Sequence, residues 1–384
     1  MSEFDNVRCR PFSCPSCGGR MVFDPAEQQL KCPYCGALRP FENARETPYE
    51  YDIHYAPPQE DAAWGDETRV TRCAACGAEF VLTGETKVQE CPFCGGAVVE
   101  AQAGNGIAPE SLVPFFLTRI QAQDCLRDWL RGRIFVMGAL RKRASAGRIT
   151  AVYLPHWTYI DEASSVYQGR AGRHYQVDLP HNVTDSDGKE RTETSREQLT
   201  RWETAIGKIS ERFDDVMIPG SVRLSEGLMN SILPYHMSRI KRYMPEYIAG
   251  YACLKPDQDV QEGWKLAQGK EDRRMAELAE RRILTDADEA KVQQLVTEHE
   301  QVRYKLVLLP VYICTFRFRK KIRHVLINGE NGKIGGQAPV SPLRVGIAVL
   351  MALMIIAGLV WRFMAAGGSE YMLYDFGRRI AAYL

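Results

Sequence analysis

The chain carries little that points to secretion or to enzymatic chemistry. Its opening run, Met1-Ser2-Glu3-Phe4-Asp5-Asn6-Val7-Arg8, is broken by charge from the third residue on. It therefore lacks the apolar length that a secretory signal requires, and an N-terminus in a reducing cytosol is expected. Phosphate-binding loops are missing too. Gly207-Lys208-Ile209 and Gly332-Lys333-Ile334 have neither the upstream Gly nor the following Ser or Thr, so ATP hydrolysis by that fold has no support. His299-Glu300-Gln301-Val302-Arg303 falls one histidine short of H-E-x-x-H and reads as a helix surface. His156 lies in an aromatic stretch and reads as a packed side chain rather than a base. No catalytic or cofactor-binding residue is assigned, and the protein is expected not to be an enzyme.

A strong overall charge is also absent: 49 Lys and Arg face 48 Asp and Glu, for a net charge of +1. The distribution is uneven. Residues 1–100 hold 9 basic and 16 acidic side chains, a net −7, so the remainder is basic. A hydrophobic fraction of 45% and a charged fraction of 25% are those of a globular chain rather than a disordered one. Its 384 residues allow two or three domains.

What is present in quantity is cysteine. Twelve would suggest disulfides in a secreted domain, yet eight form four C-x-x-C pairs. Cys14-Pro15-Ser16-Cys17-Gly18 precedes Cys32-Pro33-Tyr34-Cys35-Gly36, and Cys73-Ala74-Ala75-Cys76-Gly77 precedes Cys91-Pro92-Phe93-Cys94-Gly95, with 14 residues between pairs in both units. Two such turns supply four thiolates to one tetrahedral Zn²⁺, and four cysteines close its shell, so both sites are structural rather than catalytic. The metal ligands are Cys14, Cys17, Cys32 and Cys35, then Cys73, Cys76, Cys91 and Cys94, for two structural Zn²⁺. The Gly after each pair tolerates the positive φ that turns backbone N–H groups toward sulfur. Pro in three of the four knuckles pre-sets the turn. A redox C-x-x-C is disfavoured because every pair has a matching pair. Cys9, Cys125, Cys253 and Cys314 read as buried small hydrophobes.

The sequence predicts a multidomain protein: two small β zinc ribbons, a mixed α+β soluble region and one C-terminal transmembrane helix. The ribbons span residues 9–38 and 71–102. Each has an apolar run, Met21-Val22-Phe23 or Phe80-Val81-Leu82, followed by a polar turn, as a hairpin requires. A connector over 39–70, with Tyr49, Tyr51, Tyr55 and Trp64, is too aromatic for a free linker. An α+β domain follows over 107–340, with a helix at 118–131, a strand at 149–160 and a polar turn at 181–191. Tyr153-Leu154-Pro155-His156-Trp157 and Leu308-Leu309-Pro310-Val311-Tyr312 suggest internal duplication. A helical insertion is expected over 269–304, broken at Thr285-Asp286, then a strand over 313–327 and a turn at Asn328-Gly329-Glu330-Asn331-Gly332. Residues 345–366 supply about the 20 apolar positions that cross a bilayer. Residues 369–384 read as an amphipathic tail lying in the interface, with Arg378 and Arg379 at head-group level.

Zinc ribbons often bind nucleic acid, but each closed tetrathiolate site adds a formal charge of about −2 to a region already acidic. Phosphate binding needs the opposite sign, so nucleic acid is an unfavoured partner. Basic clusters lie at 131–148 and 317–323; the second, with Arg344, precedes the span and suits anionic lipid and a cytosolic N-terminal side.

The two quartets, Val113-Pro114-Phe115, the two strand motifs above and Ile327-Asn328-Gly329-Glu330-Asn331-Gly332-Lys333 together resemble a family of bacterial membrane-anchored proteins with tandem transcription-factor-IIB-type zinc ribbons. Members often carry a primosomal-helicase-like label because of their cysteine knuckles; the motor motifs are absent here. The resemblance implies partners of the stomatin/prohibitin/flotillin class or the phage-shock-protein-A class. The chain departs from the pattern at its third knuckle, which lacks Pro, and in the long stretch over 269–304. The expected function is a membrane-anchored adaptor or scaffold that recruits protein partners to the cytoplasmic membrane in a membrane-stress system, single-pass, with its N-terminal domains in the cytosol. A nucleic-acid-binding factor of replication or transcription and an enzyme acting in the α+β region are the alternatives, and homo-oligomerisation stays open.

Overall fold

The computed structural model describes residues 12–41, 48–55, 64, 68–83, 88, 90–100, 107–133, 148–184, 190–318, 321–336 and 342–365. Three short strands, β1 (Val22–Asp24), β2 (Gln29–Lys31) and β3 (Leu38–Arg39), pair antiparallel in that order as a sheet of their own. The hairpin between the first two closes on Asp24, whose carboxylate accepts the N–H groups of Ala26 and Glu27 at 2.9 and 3.2 Å, an Asx-type turn.

Every other strand among the described residues joins one mostly antiparallel sheet of 12. Its early members are β4 (Tyr51–Asp52), β5 (Thr68–Cys73), β6 (Glu79–Thr83), β7 (Val98–Glu100) and β8 (Ser111–Leu112). Then α1 (Arg119–Arg131) starts on a capping box in which Thr118 and Gln121 exchange hydrogen bonds. Two very long strands follow, β9 (Arg148–Thr184) and β10 (Glu190–Pro219), paired as a hairpin from Thr184↔Glu190 to His156↔Pro219. After α2 (Glu226–Asn230), β11 (Lys241–Arg242), β12 (Ala252–Leu254) and α3 (Val260–Leu284), a third long strand, β13 (Glu289–Phe318), runs antiparallel to β9 on its other side. The chain closes with β14 (Lys321–Asn328), β15 (Ile334–Gly336) and α4 (Pro342–Ala365).

Residues 152–160 of β9 and 304–314 of β13 are buried on both faces, and beyond Ile160 β9 keeps a two-residue alternation because one face is covered and the other is wet. On β9, Trp157, Tyr159, Asp161, Ala163, Ser165 and Tyr167 are buried while Glu162, Val166, Gln168 and Arg170 are exposed. The cover is α3, whose buried positions Val260, Trp264, Ala267, Glu271, Met275, Ala279 and Ile283 recur at helical spacing. The helix seats closely because Gly263 lies over Tyr159 and Trp157, where a Cβ would collide with the Tyr159 hydroxyl. Tyr159 donates its hydroxyl to the Val260 carbonyl at 2.7 Å, and Trp157 its indole N–H to that of Gln258 at 3.0 Å.

Three expectations change. The soluble region is mostly β rather than mixed α+β. The insertion expected to be helical over 269–304 is helical only to Leu284; after the break at Thr285 and Asp286, residues from Glu289 on are strand. Its Ala- and charge-rich composition favours helix locally, but pairing along β9 from Gly172 to Arg148 overrides that preference. The strand expected over 313–327 is two antiparallel strands, with Phe318 opposite Lys321. The two similar strand motifs are direct neighbours, Pro310 opposite Tyr153 and Leu308 opposite Pro155. The connector is ordered where described: Tyr51 pairs with Tyr304 on β13, and Trp64 is buried. Residues 369–384 and Cys9 lie outside the described residues.

One helix among the described residues is long and apolar enough to cross a membrane. Its window Gly346–Phe363 has a mean hydropathy of 2.2, and none of it is buried against the rest of the chain.

Candidate metal centres

All four knuckles fold alike. In each, the first Cys donates its N–H to the carbonyl five residues on and accepts, at its own carbonyl, the N–H of the Gly four residues on, as in Cys14 to Gly19 at 2.7 Å and Gly18 to Cys14 at 2.9 Å. That Gly has φ of +69° at Gly18, +76° at Gly36, +74° at Gly77 and +73° at Gly95, a conformation that costs other residues strain. The sequence expectation for these glycines is therefore met.

The knuckles face each other in pairs. Cys14 and Cys35 sulfurs stand 3.5 Å apart, as do Cys17 and Cys32; in the second unit Cys73 and Cys94 are at 3.5 Å and Cys76 and Cys91 at 3.6 Å. Within each quartet all four sulfurs lie within 4.8 Å of one another. A tetrahedron with Zn–S near 2.3 Å has edges of roughly 3.8 Å, so a small outward movement accommodates the ion. The geometry is that of two zinc ribbons.

Burial opposes ionisation of the Cys14 thiol, but the N–H groups of Cys17 and Ser16 and the Cys35 thiol outweigh it and hold its pKa at about 6. Cys73 behaves likewise: burial is outweighed by Cys76, Ala75 and Cys94, to about 7. Burial pushes the Cys91 thiol up instead. A bound cation would ionise all four thiols, since zinc takes thiolate rather than thiol.

The ribbons differ in how they join the body. The first keeps its own sheet and meets the body without sharing a strand ladder: the Phe23 N–H donates to the Ala249 carbonyl at 2.9 Å, its ring meets Tyr247 edge-on, Gln28 donates its side-chain N–H to the Phe115 carbonyl at 2.8 Å, and Ala249 packs among Phe12, Met21 and Leu30. In the second, β6 pairs with β12, and β12 pairs with β9, so ribbon and body share one sheet. Arg223 donates to the Cys76 carbonyl and pairs with Asp257 at 2.7 Å, and Thr315 donates to the Pro92 carbonyl. Phe93 stacks on Phe80 at 5.8 Å and is 5% exposed, whereas Tyr34, at the same place in the first ribbon, is 79% exposed.

The other flagged residues also have definite places. Cys253 and Cys314 are buried, as expected, and Cys125 is half-buried. His156 is packed, its Nδ1 3.3 Å from the Leu154 carbonyl oxygen. His299 departs from expectation: it is on β13 rather than a helix, and it meets Asp161 of β9 and Glu271 of α3 in a buried cluster. No local spacing announces that cluster. Its trace in the sequence is a charged residue at a core-facing position of each element, which becomes visible once the strand and helix periods are assigned.

No family model matches the chain, and no solved structure matches it. It is 25% identical over 334 residues to the Bacillus subtilis (strain 168) protein described as "Uncharacterized protein YdjG", an alignment covering 86% of this chain and 90% of that one.

Proposed function

We propose that the protein is a membrane-anchored scaffold of the tandem zinc-ribbon kind that its motifs resemble, holding protein partners at the cytoplasmic face of a bacterial inner membrane. The observation that carries this reading is α4: 18 consecutive apolar-window residues with none buried would cost a soluble protein solubility, whereas a bilayer covers them. The closed thiolate shells supply shape rather than reactivity. The first ribbon's free knuckle, with Tyr34, is an aromatic surface of the sort protein interfaces favour. Partners of the stomatin/prohibitin/flotillin or phage-shock-protein-A class follow from the resemblance, with lipid as a second contact through the basic residues before the span.

Affinity capture from detergent-solubilised membranes tests the partner assignment. Recovery of membrane-stress proteins, reduced by Tyr34→Ala, is the expected result; recovery of DNA or RNA instead would overturn the scaffold reading. Topology is tested by a reporter fused after Leu384 that is active only outside the cytosol. Activity supports a single span, and a cytosolic signal refutes it.

A further inference from the structure

Where α3 crosses the long strands, three ionisable side chains from three elements converge. His299 Nδ1 stands 2.7 Å from Asp161 Oδ2 and 3.3 Å from Glu271 Oε2, and donor atoms of all three lie within 4.8 Å of one another. Asp161 and Glu271 are each 1% exposed. The Trp264 ring closes the site by meeting His299 edge-on at 5.2 Å.

The cluster does not satisfy itself. The single Nδ1–H of His299 is directed at Asp161, and Asp161 Oδ1 and both oxygens of Glu271 are buried with no hydrogen-bond partner. Among the described residues neither carboxylate pairs with a Lys or Arg. With both carboxylates ionised even a protonated imidazole would leave one negative charge uncompensated, an expensive burial. Burial and the neighbouring Asp161 push the Glu271 carboxyl up to about 8 instead, so without a cation the site holds a proton in place of that charge.

A divalent cation resolves both problems. It would take a lone pair from the neutral imidazole and one oxygen from each carboxylate, leaving no net charge. Zinc-class ions accept this His, Asp and Glu donor set. Bond lengths of about 2.0 to 2.2 Å put donor atoms roughly 3.0 to 3.5 Å apart. The His299–Glu271 separation of 3.3 Å falls in that range, and the His299–Asp161 separation of 2.7 Å is shorter, so Asp161 would move outward by a few tenths of an ångström to admit the ion. The backbone is shaped around the position as well. Both neighbours of β9 slip register at Asp161, between Phe213 and Val216 on β10 and between Glu300 and Arg303 on β13, with Asp215 and Gln301 each at φ +54°. Bulges of this kind re-aim side chains.

We propose that Asp161, Glu271 and His299 form a third metal site, free of sulfur, that holds one zinc-class divalent transition-metal ion and ties α3 to the long strands. The scaffold reading does not depend on it.

The test uses the full chain in detergent with both cysteine sites filled with zinc, titrated with Co²⁺. The expected result is one further equivalent bound, showing d–d absorption without the thiolate-to-cobalt charge-transfer band that marks the ribbons. Glu271→Gln and Asp161→Asn should weaken that equivalent by more than the roughly 10- to 100-fold that losing an outer-shell contact brings, with both zinc ions retained. Should one variant fail to keep its zinc, the other carries the comparison. The wild-type titration needs neither: no third equivalent in excess cobalt overturns the proposal. So does a third equivalent with thiolate absorption, or one that both variants bind as tightly as wild type.

Discussion

The two ribbons share a spacing, a knuckle geometry and a donor set, and differ in what surrounds them. The first stands beside the body on its own three-stranded sheet; the second contributes β5, β6 and β7 to the 12-stranded sheet. One motif can thus be an appendage or a structural wall, depending on whether a strand of the body reaches its edge. Here β12, only three residues long, makes that difference.

The largest test is loss of metal. Structural zinc contributes roughly 10 to 16 kcal/mol to folding in small ribbons. Cys32→Ser should unfold the first ribbon alone, losing one zinc per chain relative to wild type by metal analysis and leaving hydrogen-exchange protection in β9 and β13 unchanged. Cys73→Ser should also lose one zinc but strip protection from β6 and β12. Equal, local damage in the two variants would erase the distinction drawn here.

Next come the matched aromatics. Phe93→Ala removes a ring stacked in the core and should cost about 3 to 5 kcal/mol in denaturant unfolding. Tyr34→Ala, at an exposed knuckle, should stay within about 0.5 kcal/mol.

Acid should discriminate as well. His156 lies beside Phe93, Arg223 and Leu254 around a small space next to the second ribbon. Burial holds its pKa down at about 4 against an ordinary 6.5. Between these values the unfolded chain binds a proton that the folded chain refuses, so the contribution is complete above pH 6.5 and is lost as pH falls toward 4. The loss is about 3 kcal/mol. Comparing wild type with His156→Gln isolates it from proton competition for the thiolates, which affects both ribbons. Identical pH profiles would remove His156 from the account.

Below the loss of the Phe93 ring comes Arg223→Ala, which removes the charged donor to the Cys76 carbonyl and should cost about 1.5 to 3 kcal/mol. Faster zinc transfer to a chelator from the second site, with the first unchanged, would be its signature.

How much of this the sequence discloses follows from the distance over which each feature is encoded. A knuckle is five residues long, so Cys14 to Gly18 and its three copies declare both the ligands and the turn. The capping box of α1 and the turn at Asn328 are equally local. The length of β9 is not: past Ile160 its covered face carries Asp161, Ala163, Ser165, Tyr167 and Gly169, of which Tyr167 alone is large and apolar, too little to draw an apolar pattern. The stretch from Glu289 to Tyr304 looks helical until β9 is known to lie beside it. The joining of the second ribbon rests on β12 meeting Phe80 to Leu82, about 170 residues earlier, and Asp161 is 138 residues from His299. No window of ordinary length sees such pairs.

The long strands also impose an order of events on synthesis. At roughly 3.3 Å per residue, the 37 residues of β9 extend roughly 120 Å. The hairpin with β10 is complete once Pro219 has been made, but β13 does not begin until Glu289. At about 5 to 20 residues per second, the nascent chain carries β9 with one side unpaired for several seconds. An open strand edge of that length is a template for foreign pairing. The glycines at positions 169 and 172 and the charges at 162, 170 and 173 then act as a holding measure, making β9 a poor aggregation seed until its late partner arrives.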